Sequence, residues 1–89
     1  MIFSTIKVSD IKNDIGVLIK KMRANKKVSQ DELARSLNLS RITIQNIEAG
    51  KNCTLDTCLL IFQYFDELDS FSAYLKSKSD DYNEIKSFY

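Results

Sequence analysis

Four side chains in the short segment 41–49 carry the chemistry needed to recognise the edges of nucleobases. The guanidinium of Arg41 can donate two hydrogen bonds to guanine O6 and N7, and Ile42 offers an apolar surface to the methyl group of thymine. Gln45 and Asn46 each carry a carboxamide that can pair with adenine N6 and N7, and we expect one of them to do so. The alternatives are a phosphate contact or a solvated position for Arg41, and packing against the domain for Ile42. We call these four side chains the base-reading face.

This face exists only if the segment is a helix with its opposite side buried. Ile44 and Ile47, three residues apart, fit the buried side. Steps of about 100° per residue then place Ile42, Gln45 and Asn46 on the outward side. Arg41 lies to one side of them, but it is in the first turn and its side chain is long enough to extend to the same face. Ser40 is a preferred N-cap and Gly50 a natural residue just beyond a helix end. The pattern therefore predicts a helix over 41–49.

A second helix is predicted just before this one. Ser29 and Glu32 form the Ser-x-x-Glu pattern of a capping box, after which three residues face inward: Leu33, Ala34 and Leu37. Only residues 38–40 connect the two helices, and Asn38 among them tolerates the left-handed conformation that such a turn uses. A connector this short makes the helices cross steeply. That is the helix–turn–helix geometry, in which the second helix enters the major groove of DNA.

Three blocks of sequence in a fixed order resemble the Xre/Cro-type helix–turn–helix repressors over about residues 15–68. The blocks are Ile15-Gly16-x-Leu18-Ile19-x-x-Met22-Arg23, Ser29-Gln30-x-Glu32-Leu33-Ala34 and Ser40-Arg41-x-Thr43-Ile44-x-x-Ile47-Glu48-x-Gly50-Lys51. The resemblance implies an all-α fold, namely a compact five-helix lambda-repressor-like domain with a central helix–turn–helix. It also implies DNA binding.

The resemblance assigns further roles around the base-reading face. It implies that Gln30 bonds a DNA phosphate with its side chain and the N-terminus of its helix. Four more residues are expected to contact phosphates and so set the register without reading sequence: Ser40, Thr43, Lys51 and Asn52. Arg23 and Glu48 are implied to form a structural ion pair linking helix 1 to the end of helix 3. The alternative for Gln30 is a solubilising first-turn residue, and the alternative for Arg23 and Glu48 is two unrelated surface charges.

The remaining elements follow from hydrophobic spacing. Residues 1–9 are predicted to form an N-terminal arm or short strand, residues 10–76 the DNA-binding domain, and residues 77–89 a polar and aromatic C-terminal tail. Within the domain, helix 1 is expected over about 11–25 with a cap at Ser9 or Asp10. Helix 4 begins near Thr54, and a short helix 5 covers about 70–76. The inward stripe of helix 1 is Ile11, Ile15, Leu18, Ile19 and Met22; that of helix 4 is Leu55, Leu59 and Phe62, widened by Cys58, Ile61 and Phe65.

Composition narrows the classes of function. The chain has no His, so a His-based acid–base pair or a nucleophilic triad is excluded, and two Cys alone do not make the usual zinc site. We expect no enzyme activity, no cofactor and no metal. Cys53 and Cys58 are predicted to be reduced core thiols, with a disulfide or redox pair as the alternative. With neither a signal peptide nor a spanning segment recognised, we expect a cytoplasmic, nucleoid-associated protein of a bacterium or phage, with no membrane partner.

Charge is divided unevenly along the chain. Residues 1–52 carry ten Lys/Arg against five Asp/Glu, whereas residues 53–89 carry three against seven. The first half therefore suits a polyanion such as double-stranded DNA, and the second suits a protein partner. We expect a repressor that binds a near-palindromic operator as a homodimer. The alternative is an antitoxin that binds a toxin protein, with residues 77–89 folding on it, and autoregulates its operon. A helical interaction module without DNA binding is a third hypothesis.

Overall fold

A computed structural model describes residues 5–86 of the chain, with side-chain surroundings described for residues 5–83. It contains five helices: α1 (Val8–Lys26), α2 (Gln30–Ser36), α3 (Arg41–Glu48), α4 (Leu55–Tyr64) and α5 (Leu68–Lys86). There is no strand within residues 5–86. The prediction of an all-α, five-helix fold is confirmed.

The core lies between α3 and the two helices it packs against, α1 and α2, and it also includes residues of α4. Ile44 and Ile47 of α3 are buried, as the sequence predicted, and so are Leu33 and Ala34 of α2. The other buried apolar residues are Ile19 of α1, Ile61 and Phe62 of α4, and Phe65, the C-cap of α4. Since Ile44 and Ile47 fix the rotation of α3, the core also determines which face of that helix meets solvent.

Local signals set the ends of the two central helices. The Ser29 Oγ accepts from the Glu32 amide at 3.0 Å, and the Glu32 carboxylate accepts from the Ser29 amide at 3.1 Å. This is the predicted capping box. Asn38 has the expected left-handed backbone, with φ of 56°, and Gly50 follows α3 with φ of 79°. The connector is therefore a tight turn that ends α2 and starts α3 within a few residues.

The N-terminal end of α1 differs from prediction. Residues 5–7 have no regular structure and Val8 already belongs to the helix, so the expected strand is not formed by residues 5–8; residues 1–4 lie outside the described part. Lys7, rather than Ser9 or Asp10, occupies the N-cap, and its amide donates to the Asp10 carboxylate at 2.9 Å. Because Asp10 satisfies that amide from the third helical position, the helix begins three residues earlier than expected.

The predicted end of helix 5 near Lys76 is wrong, because α5 continues through Lys86 into the region expected to be a tail. No Pro or Gly follows Gly50, so the sequence contains no strong helix breaker there. Helix α5 packs against α4 through Phe71, whose ring centroid lies 4.8 Å from that of Phe62. Residues 69–83 are otherwise exposed, and residues 87–89 lie outside the described part.

Two expectations about α4 are also corrected. Cys53 and Cys58 form a disulfide and are half-buried, instead of being reduced core thiols. Thr54 caps α4, and the turn at this cap brings the two Cα atoms to 6.8 Å. Leu55, expected in the core stripe of helix 4, is largely exposed. Ile11 and Leu18, expected in the inward stripe of helix 1, are partly exposed. Within residues 5–86, no helix is long and apolar enough to span a membrane.

Candidate nucleic-acid interface

The base-reading face is open to solvent on one side of α3. Ile42 is 66% exposed, Arg41 and Gln45 are exposed, and Asn46 is half-buried. The buried Ile44 and Ile47 lie on the opposite side of the same two turns. The structure therefore brings the four predicted residues together on one surface. The alternative that Ile42 packs into the domain is excluded by its exposure.

The start of α3 is held by a pair of hydroxyl groups. Ser40 Oγ accepts from the Thr43 amide at 3.1 Å and lies 2.9 Å from Thr43 Oγ1. Ser40 is exposed and Thr43 half-buried, so both hydroxyl groups lie at the rim of the base-reading face. At this position they can offer a hydrogen bond to a phosphate that approaches the helix.

Arg41 has a neighbour that the sequence did not point to. Its Nε lies 3.8 Å from Oδ1 of Asp31, which belongs to the first turn of α2, and both side chains are more than half exposed. The ion pair connects the two helices of the helix–turn–helix at the outer surface. Asp31 occupies an "x" position of the matching sequence block, so no motif drew attention to it.

Behind the base-reading face, Arg23 and Glu48 form the ion pair that the resemblance implied. Arg23 Nε donates to Glu48 Oε2 at 2.5 Å and Arg23 Nη2 donates to Oε1 at 2.9 Å. The Glu48 residue is only 5% exposed. Arg23 Nη1 also donates to the carbonyl of Val28 at 3.1 Å. This bidentate pair ties α1 to the end of α3 and to the loop before α2.

Gln30 belongs to the same network. It is half-buried, and its Nε2 donates to Glu48 Oε1 at 2.9 Å. The side chain expected to bond a phosphate is thus already held by a buried carboxylate, which fixes the carboxamide but leaves its oxygen and second N–H for another partner. The network therefore orients Gln30 at the start of α2.

The charge state of this network is fixed by its own hydrogen bonds. Burial alone would raise the pKa of Glu48, but hydrogen bonds from Arg23 and Gln30 outweigh it and hold the pKa below its ordinary value. The hydrogen bond to Glu48 raises the pKa of Arg23 despite partial burial. Both groups are consequently ionised around neutral pH, and no side-chain polar atom buried within the described residues lacks a partner.

The segment after α3 carries the last two predicted phosphate contacts. Lys51 is exposed, and its amide donates to the Asn46 carbonyl at 2.9 Å, which holds the segment close to α3. Asn52 is exposed and its Oδ1 accepts from Nζ of Lys12. Lys12 was not singled out from sequence, because nothing in the spacing of α1 predicts contact with a residue forty positions away. Lys12 and Lys51 both lie at the edge of one groove, described below.

Comparison with protein families agrees with this arrangement. The chain matches a family described as "Helix-turn-helix" over residues 19–70, more than half of its length. No curated protein and no solved structure gives a match. The matched range contains α2, the turn, α3 and α4, hence all of the residues of the base-reading face. The family consists of DNA-binding domains, so the match indicates a DNA-binding transcriptional regulator. The chain belongs to the Cro/C1-type, Xre-like helix–turn–helix family.

Proposed function

We propose that this protein is a repressor that binds a near-palindromic operator sequence-specifically, as a homodimer, with α3 in the major groove. The observation that carries the proposal is the division of α3 into two sides. Ile44 and Ile47 are buried, whereas Arg41, Ile42 and Gln45 are exposed together. Ile42 thus lies between Arg41, which offers several donors, and Gln45, which offers a donor and an acceptor. This combination suits the mixed polar and methyl edges of a major groove.

Each residue then has a role on the DNA. Arg41 reads guanine, Ile42 contacts a thymine methyl group, and Gln45 or Asn46 pairs with adenine. Five residues contact phosphates around this face and fix its register: Gln30, Ser40, Thr43, Lys51 and Asn52. The Arg23–Glu48 pair does not touch DNA, and its role is to hold α1, α2 and α3 in the geometry that docking requires.

A single domain of this size contacts too few base pairs for high specificity, which favours a dimer on two half-sites about 34 Å apart. The surface we assign to the dimer is an apolar groove of about 530 Å³ between α1, α4 and α5. Most of its lining is apolar, including Ile15, Leu55, Leu59, Phe62, Phe71 and Leu75, and Lys12 and Lys51 lie at its edge. The occupant we assign is α5 of a second copy, whose Asp80 and Asp81 complement Lys12. Aromatic side chains such as Phe71 and Tyr82 would anchor the contact.

Selection from random duplexes tests the proposal. The recovered sites are expected to be inverted repeats, Arg41→Ala should relax the preference at one base pair of each half-site, and Lys51→Ala should weaken all sites evenly. The logarithm of affinity should fall linearly with the logarithm of salt concentration. Recovery of unpaired, asymmetric sites would contradict the dimer. Absence of salt-dependent binding to any duplex would contradict DNA binding itself and favour the interaction-module alternative.

An antitoxin function is the second candidate, favoured by the shape of α5. This helix of 19 residues exposes Tyr74, Leu75 and Tyr82 along its length, a surface that a protein partner could cover. Because residues 77–86 are already helical, toxin binding would not need the folding step expected from the sequence. Co-expression with the product of the adjacent gene tests this candidate: a stable complex that Tyr82→Asp disrupts supports it, and separate elution of the two proteins contradicts it.

A further inference from the structure

An acidic side chain stands beside the main base-reading residue. Asp31 and Arg41 have side chains that are 59% and 57% exposed, and Asp31 Oδ1 lies 3.8 Å from Arg41 Nε. Asp31 is the second residue of α2 and Arg41 is the first residue of α3, so the pair joins the two helices of the motif at their outer ends. An ion pair this exposed contributes little to folding. The dipole of α2 also favours an acid in its first turn, but that effect does not depend on the contact with Arg41.

The position is unfavourable for DNA affinity. A carboxylate at the start of α2, one residue from the proposed phosphate contact Gln30, repels the phosphate backbone and reduces the number of counterions that binding releases. An acid whose only effect was repulsion would simply weaken binding to every sequence. Its effect on Arg41 is different, because it acts on the side chain that is proposed to choose the base.

The geometry of the pair leaves the reading edge of Arg41 free. The guanidinium has five N–H donors in a fixed fork, one on Nε and four on the two terminal nitrogens. Asp31 approaches Nε. The edge formed by the two terminal nitrogens is the one that gives two hydrogen bonds to guanine O6 and N7 when arginine approaches end-on. A carboxylate on the Nε side also restricts a long side chain whose rotamer freedom opposes binding.

We propose that Asp31 is a specificity-determining positioning residue, which holds Arg41 with its terminal nitrogens directed at the base edge. The inference rests on the proposed DNA-binding function and deepens it. It predicts that removal of the charge affects specificity and non-specific affinity differently. Preference for guanine falls because Arg41 is less restricted, whereas affinity for non-specific DNA is unchanged or rises because a repulsive charge is gone.

The test measures dissociation constants for the wild type, Asp31→Asn and Asp56→Asn on purified full-length protein. Asp56 is the matched control because it is also the second residue of its helix, in the first turn of α4, and is exposed. The duplexes are the selected operator, its three variants at the base pair where Arg41→Ala relaxes the preference, and an unrelated sequence. For Asp31→Asn, discrimination at that base pair should fall about two- to fivefold. For Asp56→Asn it should not change.

A second comparison separates positioning from general effects. In an Arg41→Ala background, Asp31→Asn should cause no further loss of discrimination, since there is no guanidinium left to position. The inference is overturned if Asp31→Asn changes affinity evenly for all duplexes, if Asp56→Asn lowers discrimination as much, or if the loss persists without Arg41. If the wild type binds no duplex in a salt-dependent way, the proposed function itself is wrong and the positioning role falls with it.

Discussion

Gly16 of α1 lies directly against the backbone carbonyl of Glu48 at the end of α3. A Cβ on residue 16 would stand 2.5 Å from the Glu48 oxygen and 2.8 Å from the Ile47 oxygen. A glycine inside a helix ordinarily destabilises it by roughly 0.5–1 kcal/mol relative to alanine. Here the missing side chain lets α1 approach α3 closely, and this approach brings Arg23 within hydrogen-bonding distance of Glu48. The glycine thus supports the ion pair behind the base-reading face.

The first prediction concerns this contact. Gly16→Ala should destabilise the protein by about 1–3 kcal/mol, because the obstructing atoms are backbone carbonyls of α3 that cannot move without shifting the helix. Urea denaturation measures the change. Val17→Ala is the control: the neighbouring side chain is exposed on the same helix, so its removal should change stability by about 0.5 kcal/mol or less. Equal stability of Gly16→Ala and the wild type would show that α1 and α3 are not in close contact.

The second prediction concerns stability in acid. The pKa of Glu48 is lowered in the folded protein, chiefly because hydrogen bonds from Arg23 and Gln30 outweigh the opposing effect of burial. A lowered folded pKa means that the stabilisation is complete above the unfolded value near 4.5 and is lost as the pH falls through the folded value. Denaturant titrations between neutral and acidic pH should show this loss for the wild type. Glu48→Gln should be less stable than the wild type at neutral pH, but its free energy of unfolding should fall less steeply as the pH is lowered.

The matched control for the acid experiment is Asp69→Asn, an exposed acid outside the network. It should keep the wild-type pH profile. An unchanged profile for Glu48→Gln would instead mean that other carboxylates dominate the acid response. Glu48→Ala is the harsher variant, because it leaves the half-buried Arg23 without its partner, and breaking a fully buried pair costs at most about 3–5 kcal/mol.

The sequence predicted the elements whose signals are local and missed those that depend on tertiary context. The Ser29 capping box, the left-handed Asn38 and the Ile44–Ile47 spacing each act within a few residues, and all three appear as expected. The length of α5 was underestimated because its apolar periodicity fades after Leu75, although no residue there stops a helix. A fading stripe indicates the loss of a packing partner, not the end of the helix.

At the candidate site, the outward face of α3 was predictable because two buried isoleucines fix its rotation. The neighbours of that face were not. Asp31 meets Arg41 only through the turn between α2 and α3, and Lys12 meets Asn52 from a distant helix. The Cys53–Cys58 disulfide was only the alternative to reduced thiols, because disulfides are rare in the reducing compartment that the sequence suggested.

The third prediction tests the exposed isoleucine of the base-reading face. Ile42→Ala should leave folding stability within about 0.5 kcal/mol of the wild type, because the side chain is 66% exposed. Operator affinity should fall. Replacing the contacted thymine by uracil should weaken operator binding by the wild type but not by Ile42→Ala, because the substitution in the protein and the substitution in the DNA remove the same methyl contact. Val8→Ala is the control, because Val8 is similarly exposed, at 73%, but lies at the start of α1. Additive losses from the two changes would mean that Ile42 contacts something other than that methyl group.

The fourth prediction concerns the disulfide. Cys53 and Cys58 close a short loop at the N-terminal end of α4, so reduction should lower the stability by about 2 kcal/mol, the value for a small loop. Thermal unfolding with and without dithiothreitol measures this change. The double variant Cys53→Ser, Cys58→Ser should be insensitive to the reductant. Operator affinity should be nearly unchanged on reduction, because α3 is held by its own buried isoleucines. A Tm that does not respond to the reductant would show that the bridge contributes nothing to folding.

The fifth prediction distinguishes the two sides of α5. Leu75 lines the apolar groove and is 62% exposed, whereas the adjacent Tyr74 is 61% exposed and lines a separate depression beside Leu18. If α5 of a second copy occupies the groove, Leu75→Glu should shift the protein from dimer to monomer in light scattering, because it places a charge in an apolar contact. It should also weaken binding to the full operator far more than binding to one half-site.

Tyr74→Glu, matched in exposure, should remain dimeric. Dissociation by Tyr74→Glu alone would place the interface at the depression beside Leu18 and not in the groove. A wild type that is monomeric on its operator would contradict the dimer altogether.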